Sequence, residues 1–233
     1  MGLENRVLTG VHFMQGNYAA VEGAIAAGCD FFAGYPITPA NEVSEGMARR
    51  LPAVGGVFFQ GEDELCSIYA AGAASLAGAK AMTATASAGF DYMMEGIEYA
   101  VAIEAPLVIV DVMRCRGENF ATHSDIMQVR WGAAGDHEMI VLAPSTVQET
   151  FDFTVRAFRR ACDPSQPISA SDNQTIKRYQ LPGEIGDENS EYELYDISFD
   201  PLAGFEQFEC GPSTNNYLSL HYLYLCLLAR CRN

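Results

Sequence analysis

Short apolar runs alternate with stretches of helical spacing along most of this chain, and turns of glycine, proline and small residues separate them. Leu107–Val112 reads as an apolar run of strand length, the pattern of a parallel strand covered on both faces. Met139–Ala143 repeats it. Strands alternating with helices through short Gly-rich turns predict an α/β fold, a doubly wound, mostly parallel sheet with right-handed crossovers.

The elements follow from local signals. Asn17 is placed to N-cap a helix whose apolar positions Ala20, Val21, Ala24 and Ile25 share a face, and Gly28 sits where a glycine ends it. A strand over Cys29–Ala33, a helix over Pro39–Leu51, a strand over Val57–Gln60 and an Ala-rich helix over Leu65–Leu76 come next. A strand over Ala79–Ala84 and a helix through Tyr99 precede the Leu107 run. Ser145 with Gln148 matches a capping box for a helix ending near Ala161. Beyond Pro164 the periodicity fails, which divides the chain into a regular domain over 1–166 and an irregular C-terminal segment over 167–233. Within that segment Tyr217–Leu228 reads as helix-like.

Composition narrows the function. The 233 residues carry 14 Lys+Arg against 30 Asp+Glu, a formal charge of -16 that opposes binding to phosphate backbones and acidic membrane surfaces. Nucleic acid and membrane are therefore not expected partners. The 7 cysteines include no C-x-x-C pair and His12, His137 and His221 are isolated, so no metal site of this chain's own is expected. With no cationic leader, and with the apolar stretch Tyr217–Leu228 interrupted by His221 and too short to span about 30 Å of hydrocarbon, the expected location is the cytoplasm.

In open parallel sheets ligands collect at the carboxyl ends of strands, here the turns over residues 34–40, 61–64, 85–89 and 113–125. In the first, Thr38 stands between Pro36 and Pro39, which either presents a hydroxyl rigidly or makes Thr38 the cap of a helix with Pro39 at its first position. In the second, Glu62, Asp63 and Glu64 precede an apolar helix. They are either solvated acids favoured by the helix dipole or, for Glu64, a half-buried carboxyl able to share a proton with a heterocycle nitrogen. Arg114 and Arg116 follow the Leu107 strand, where an arginine can pair with a carboxylate or with a rim acid. His123-Ser124-Asp125 is no Ser-His-Asp relay, because neighbouring residues cannot adopt that geometry. There is also no G-x-G-x-x-G after a strand and no P-loop sequence.

Three segments carry a specific likeness: GNYAAVEGAIAAGCDFFAGYPITPANEVSEGMARRLP, GEDELCSIYAAGAASLAGAKAMTATASAGF and DIMQVRWGAAGDHEMIVLAPSTVQETFDFTVRAF. Over roughly Gln15 to Ala161 the chain closely resembles the alpha subunit of 2-oxoacid:ferredoxin oxidoreductases, especially the 2-oxoglutarate type. The resemblance implies a thiamine diphosphate-binding, pyrimidine-domain fold. It implies an oxidoreductase subunit, inactive alone, that takes part in oxidative decarboxylation of a 2-oxoacid with coenzyme A, electrons passing to ferredoxin.

The resemblance also implies roles. Glu64 would bond the aminopyrimidine nitrogen and favour the imino tautomer, with Tyr35, Pro36, Ile37, Ser87 and Gly89 around the cofactor. Thr38 and Arg114 would orient the substrate's oxo and carboxylate groups. The family's diphosphate and magnesium motif and its cluster cysteines are absent here, so a beta subunit would supply the diphosphate site, Mg2+ and iron-sulfur ligands, with gamma and delta subunits or domains alongside. Thr85-Ala86-Ser87-Ala88-Gly89-Phe90 stands where the family reads Thr-Ser-Gly-Pro-Gly-Phe. Two alternatives are a non-catalytic remnant of such a subunit and half of a non-oxidative thiamine-dependent decarboxylase.

Overall fold

The computed structural model describes residues 7–114, 125–132 and 139–162, together with the backbone of the strand at 223–228. The elements alternate as α1 (Gly16–Ala27), β1 (Phe31–Gly34), α2 (Asn41–Ala53), β2 (Val57–Gln60), α3 (Glu64–Leu76), β3 (Ala81–Thr85), α4 (Ala88–Ala102), β4 (Leu107–Val112), α5 (Asp125–Trp131), β5 (Ile140–Leu142), α6 (Val147–Cys162) and β6 (Leu223–Leu228). The sheet order is β2-β1-β3-β4-β6-β5. β1 pairs in parallel with β2 and β3, and β3 with β4, whereas β6 runs antiparallel between β4 and β5. The expected α/β class and the mostly parallel sheet are both present.

Helices cover both faces, and strand parity decides which residues meet them. Ala33, Ala81, Leu107 and Ile109 point to α3 and α4, where they pack with Ile68, Phe90, Met93 and Ile97. Residues of opposite parity, such as Phe32, Met82, Val108 and Val110, are buried on the other face, where α1 packs against α2 and α6. Burying both sides is why β4 carries so little polarity.

Several boundaries differ from the sequence expectation for local reasons. Gly28 closes α1 in the left-handed conformation, φ 80°, as its position predicted, but the N-cap is Gln15 rather than Asn17. Asn17 lies inside the first turn, and its amide donates to Pro39 O at 2.8 Å and to Glu42 Oε2 at 3.0 Å, bracing α1 to the turn before α2. Pro39 is not the first residue of α2, nor is Thr38 its cap. The helix starts at Asn41 after Ala40, and the Thr38–Pro39 peptide is cis.

At α6 the capping box is shifted by one residue. Thr146 Oγ1 accepts from Glu149 N at 3.1 Å while Glu149 Oε2 accepts from Ser145 N at 2.7 Å, so Thr146 and Glu149 perform the roles expected of Ser145 and Gln148.

The helix-like reading of Tyr217–Leu228 is overturned for Leu223–Leu228, which is a strand; Tyr217–Tyr222 lies outside the described residues. A short apolar run has no period of its own, and the gap between β4 and β5, which both run opposite to it, decides its conformation. Contacts group residues 1–168 and 220–233 into one unit and 169–219 into another. The expected start of a strand at Pro167-Ile168-Ser169-Ala170 lies outside the described residues. Among the described residues no helix is long and apolar enough to cross a membrane.

Candidate functional site

Parallel strands β1 to β4 deliver their carboxyl ends to one edge of the sheet, and the candidate residues of the sequence sit there. Gly61 N donates to Gly34 O at 2.9 Å, tying the turn after β2 to the end of β1. The acidic turn then separates its members by burial. Glu62 is exposed and Asp63 half-buried, but Glu64 is only 8% exposed.

Asp63, not Glu64, is the residue that serves the helix. As N-cap of α3 it accepts from Cys66 N at 2.7 Å through Oδ1. Glu64 is thereby left free of capping duty at the first helical position. Burial raises its proton affinity above the ordinary carboxylate range, the charge of Asp63 adds to the rise, and its own backbone N–H and the Arg114 guanidinium oppose it. The fold therefore buries Glu64 rather than leaving it a solvated acid.

The neighbour that makes room for this carboxyl is Gly89, in the first turn of α4. A methyl group added at Gly89 would lie 2.6 Å from Glu64 Oε1 and would also collide with Thr85 Oγ1, so no other residue fits without displacing the acid. Ser87 just before it caps α4 with φ 41° and ψ -104°, a conformation rare for a residue with a side chain. Such strain costs of order 1–3 kcal/mol and persists where surroundings impose it. Here the Ser87 amide donates to Asp125 Oδ2 at 2.9 Å in a buried contact. A hydrogen bond to a charged acceptor contributes about 1.5–3 kcal/mol, enough to offset that strain. The hydroxyls of Thr83, Thr85 and Ser87 are buried and find no hydrogen-bond partner among the described residues.

Glu64, Thr85, Ser87, Gly89 and Arg114 thus gather at the ends of β2, β3 and β4. The turn Tyr35-Pro36-Ile37-Thr38 leaves β1 at the same edge, with Tyr35, Pro36 and Thr38 exposed and Ile37 half-buried. Thr38 Oγ1 accepts from Asn41 Nδ2 at 3.2 Å, which orients the hydroxyl without burying it. Arg116 and His123-Ser124 lie outside the described residues.

Sequence reasoning missed the role of two acids. Asp111 is 0% exposed, within what reads as an apolar strand, and in register with Thr85 across β3 and β4. Desolvation pushes its carboxyl well above the ordinary range, the nearby charges of Asp125 and Asp91 push the same way, and the Ser87 amide opposes them. An acid inside a strand buried on both faces was the available signal. In sequence Asp125 stands at the end of the turn over 113–125 and in a His-Ser-Asp run that is no relay, and nothing in spacing links it to Ser87, 38 residues away.

With this arrangement in view, comparison with known proteins is specific. Residues 22–180 match the family model "Pyruvate flavodoxin/ferredoxin oxidoreductase, thiamine diP-bdg". The chain is 55% identical over 155 residues to 2-oxoglutarate synthase subunit KorA of Methanocaldococcus jannaschii, covering 65% of this chain and 42% of that protein. It is 48% identical over 170 residues to the same-named subunit of Archaeoglobus fulgidus, covering 71% and 49%. A solved structure, 2-oxoglutarate:ferredoxin oxidoreductase from Magnetococcus marinus with 2-oxoglutarate, coenzyme A and succinyl-CoA bound, aligns with a TM-score of 0.60 and 37% identity over 64% of this chain and 27% of that one. The chain therefore spans less than half the length of these relatives. The match to the family model covers more than half of the chain, and the chain belongs to the thiamine diphosphate-binding family of pyruvate flavodoxin/ferredoxin oxidoreductases.

Proposed function

We propose that this chain acts as the pyrimidine-binding part of an alpha subunit in a 2-oxoacid:ferredoxin oxidoreductase of the 2-oxoglutarate type. The observation that carries this reading is the placement of Glu64, a buried acid of raised proton affinity held against the bare face of Gly89 at the ligand-binding edge of the sheet.

The residues present suit thiamine diphosphate. A carboxyl that holds its proton more tightly than a solvated one can share it with a pyrimidine ring nitrogen, and the buried hydroxyls of Thr85 and Ser87 remain without protein partners among the described residues. When bound, the cofactor supplies the nucleophilic carbon on which a 2-oxoacid loses carbon dioxide. Glu64 would hold a proton at the ring nitrogen, with Tyr35, Pro36, Ile37, Ser87 and Gly89 lining the ring's surroundings. Thr38 would orient the substrate's oxo oxygen and Arg114 its carboxylate. Arg114 acts as an orienting group, since tight ground-state pairing with the leaving carboxylate would oppose its departure.

The remaining parts come from elsewhere in this reading. A beta subunit supplies the diphosphate site, Mg2+ and iron-sulfur ligands, coenzyme A accepts the acyl group, ferredoxin takes the electrons, and gamma and delta subunits or domains complete the assembly in the cytoplasm. Co-expression with the beta subunit, co-purification and a thiamine diphosphate-dependent dye-reduction assay with 2-oxoglutarate and coenzyme A test it. Turnover that favours 2-oxoglutarate over pyruvate is expected. A complex that binds no cofactor, or reduces dye with no 2-oxoacid, would contradict the reading.

A further inference from the structure

We propose that Asp125 is a positioning residue that clamps the Ser87 amide and so fixes the turn that sets Gly89 against Glu64. The inference rests on the function proposed above only for what Glu64 does, since the clamp itself is geometric.

The geometry behind it has three parts. Ser87 sits at φ 41°, where a side chain disfavours the backbone, so the turn does not hold itself. Its amide meets Asp125 Oδ2 at 2.9 Å, and both residues are nearly inaccessible, at 2% and 5% exposure, so water does not compete for the bond; the Asp111 carboxyl, which the same amide also favours, is the other acid at this turn. Two residues on, Gly89 is fixed to the same turn by its amide donating to Ala86 O at 2.9 Å, with the Glu64 carboxyl packed on its open face. A rotation of the peptide before Ser87 therefore moves the wall against which Glu64 rests. Asp125 belongs to α5 while Ser87 precedes α4, so an acid far along the chain sets the geometry of a turn made by β3 and α4.

The test uses the full chain in complex with its beta subunit, comparing Asp125→Ala and Asp125→Asn. Hydrogen exchange of the Ser87 amide and the KM for thiamine diphosphate at fixed 2-oxoglutarate are read alongside kcat and melting temperature. Asp125→Ala is expected to speed exchange at Ser87 and raise the cofactor KM, each by about tenfold or more, with kcat at saturating cofactor changed less. Asp125→Asn keeps an acceptor oxygen and is expected to stay within about threefold of the parent on both readouts.

An Asp125→Ala variant with the parent's Ser87 protection and cofactor KM would overturn the clamp. So would an Asp125→Asn variant that loses as much as Asp125→Ala on both readouts. Should Asp125→Ala not fold, Asp125→Ser, whose hydroxyl is too short to reach the amide, replaces it under the same criteria. Glu64→Gln run in parallel separates the two ideas: full turnover there sinks the cofactor role while Ser87 exchange still decides the clamp.

Discussion

The Glu64 carboxylate packs directly on the α-carbon of Gly89, so close that a single methyl group there would come within 2.6 Å of Oε1. The contact joins the start of α3 to the start of α4, and it explains how an acid in a row of acids becomes buried. Gly89→Ala is expected to cost about 1–3 kcal/mol through overpacking. Because the acid must move to accept the methyl, the variant is also expected to raise the KM for thiamine diphosphate in the reconstituted complex by about tenfold. Urea unfolding and cofactor titration check the two effects separately.

Asp63 and Glu64 are neighbours with different tasks. Asp63→Ala removes the side-chain acceptor of the Cys66 amide and is expected to destabilise the chain by about 0.5–2 kcal/mol, with Asp63→Asn losing less. The shift in urea midpoint at unchanged slope is the measurement. A loss of cofactor binding in Asp63→Asn without any loss of stability would show that the division of labour is drawn wrongly.

Asp111 should make stability depend on pH in an unusual sense. Its carboxyl is held well above its ordinary range by burial, with Asp125 on α5 and Asp91 on α4 pushing the same way and the Ser87 amide opposing them. A raised folded value means that the folded state binds the proton more tightly than the unfolded chain. The stability this contributes is complete at acid pH, below the unfolded value, and is lost as pH rises toward and through the raised folded value. Asp111→Asn stays neutral and lacks that loss. Melting temperature measured from acid to alkaline pH should fall more steeply in the parent than in Asp111→Asn, and parallel curves would contradict the assignment.

Much of the fold was legible because burial on both faces leaves a plain mark on sequence. Leu107–Val112, buried along its whole length, is a strand with the expected bounds; the exposed edge strand Val57–Gln60 also has its expected bounds, and Gly28 ends α1 where its freedom at positive φ is needed. What was not legible depended on partners distant in sequence. The sequence singles out Glu64 but leaves two readings for it, because the residue that packs on its carboxyl, Gly89, lies on another helix. Thr38 and Pro39 carried a helix-start signal that the turn braced by Asn17 overrides. Leu223–Leu228 gave no period to read, and its strand state follows from the two strands beside it.

The central claim is that a buried carboxyl of this chain shares a proton with the cofactor ring. Glu64→Gln in the complex with the beta subunit tests it most directly, because glutamine preserves size and burial while removing the titrating proton. With folding verified and thiamine diphosphate saturating, 2-oxoglutarate-dependent dye reduction is predicted to fall by about 10²–10⁴-fold. Turnover within about threefold of the parent would contradict the account, since an essential proton-holding group supplies more than that.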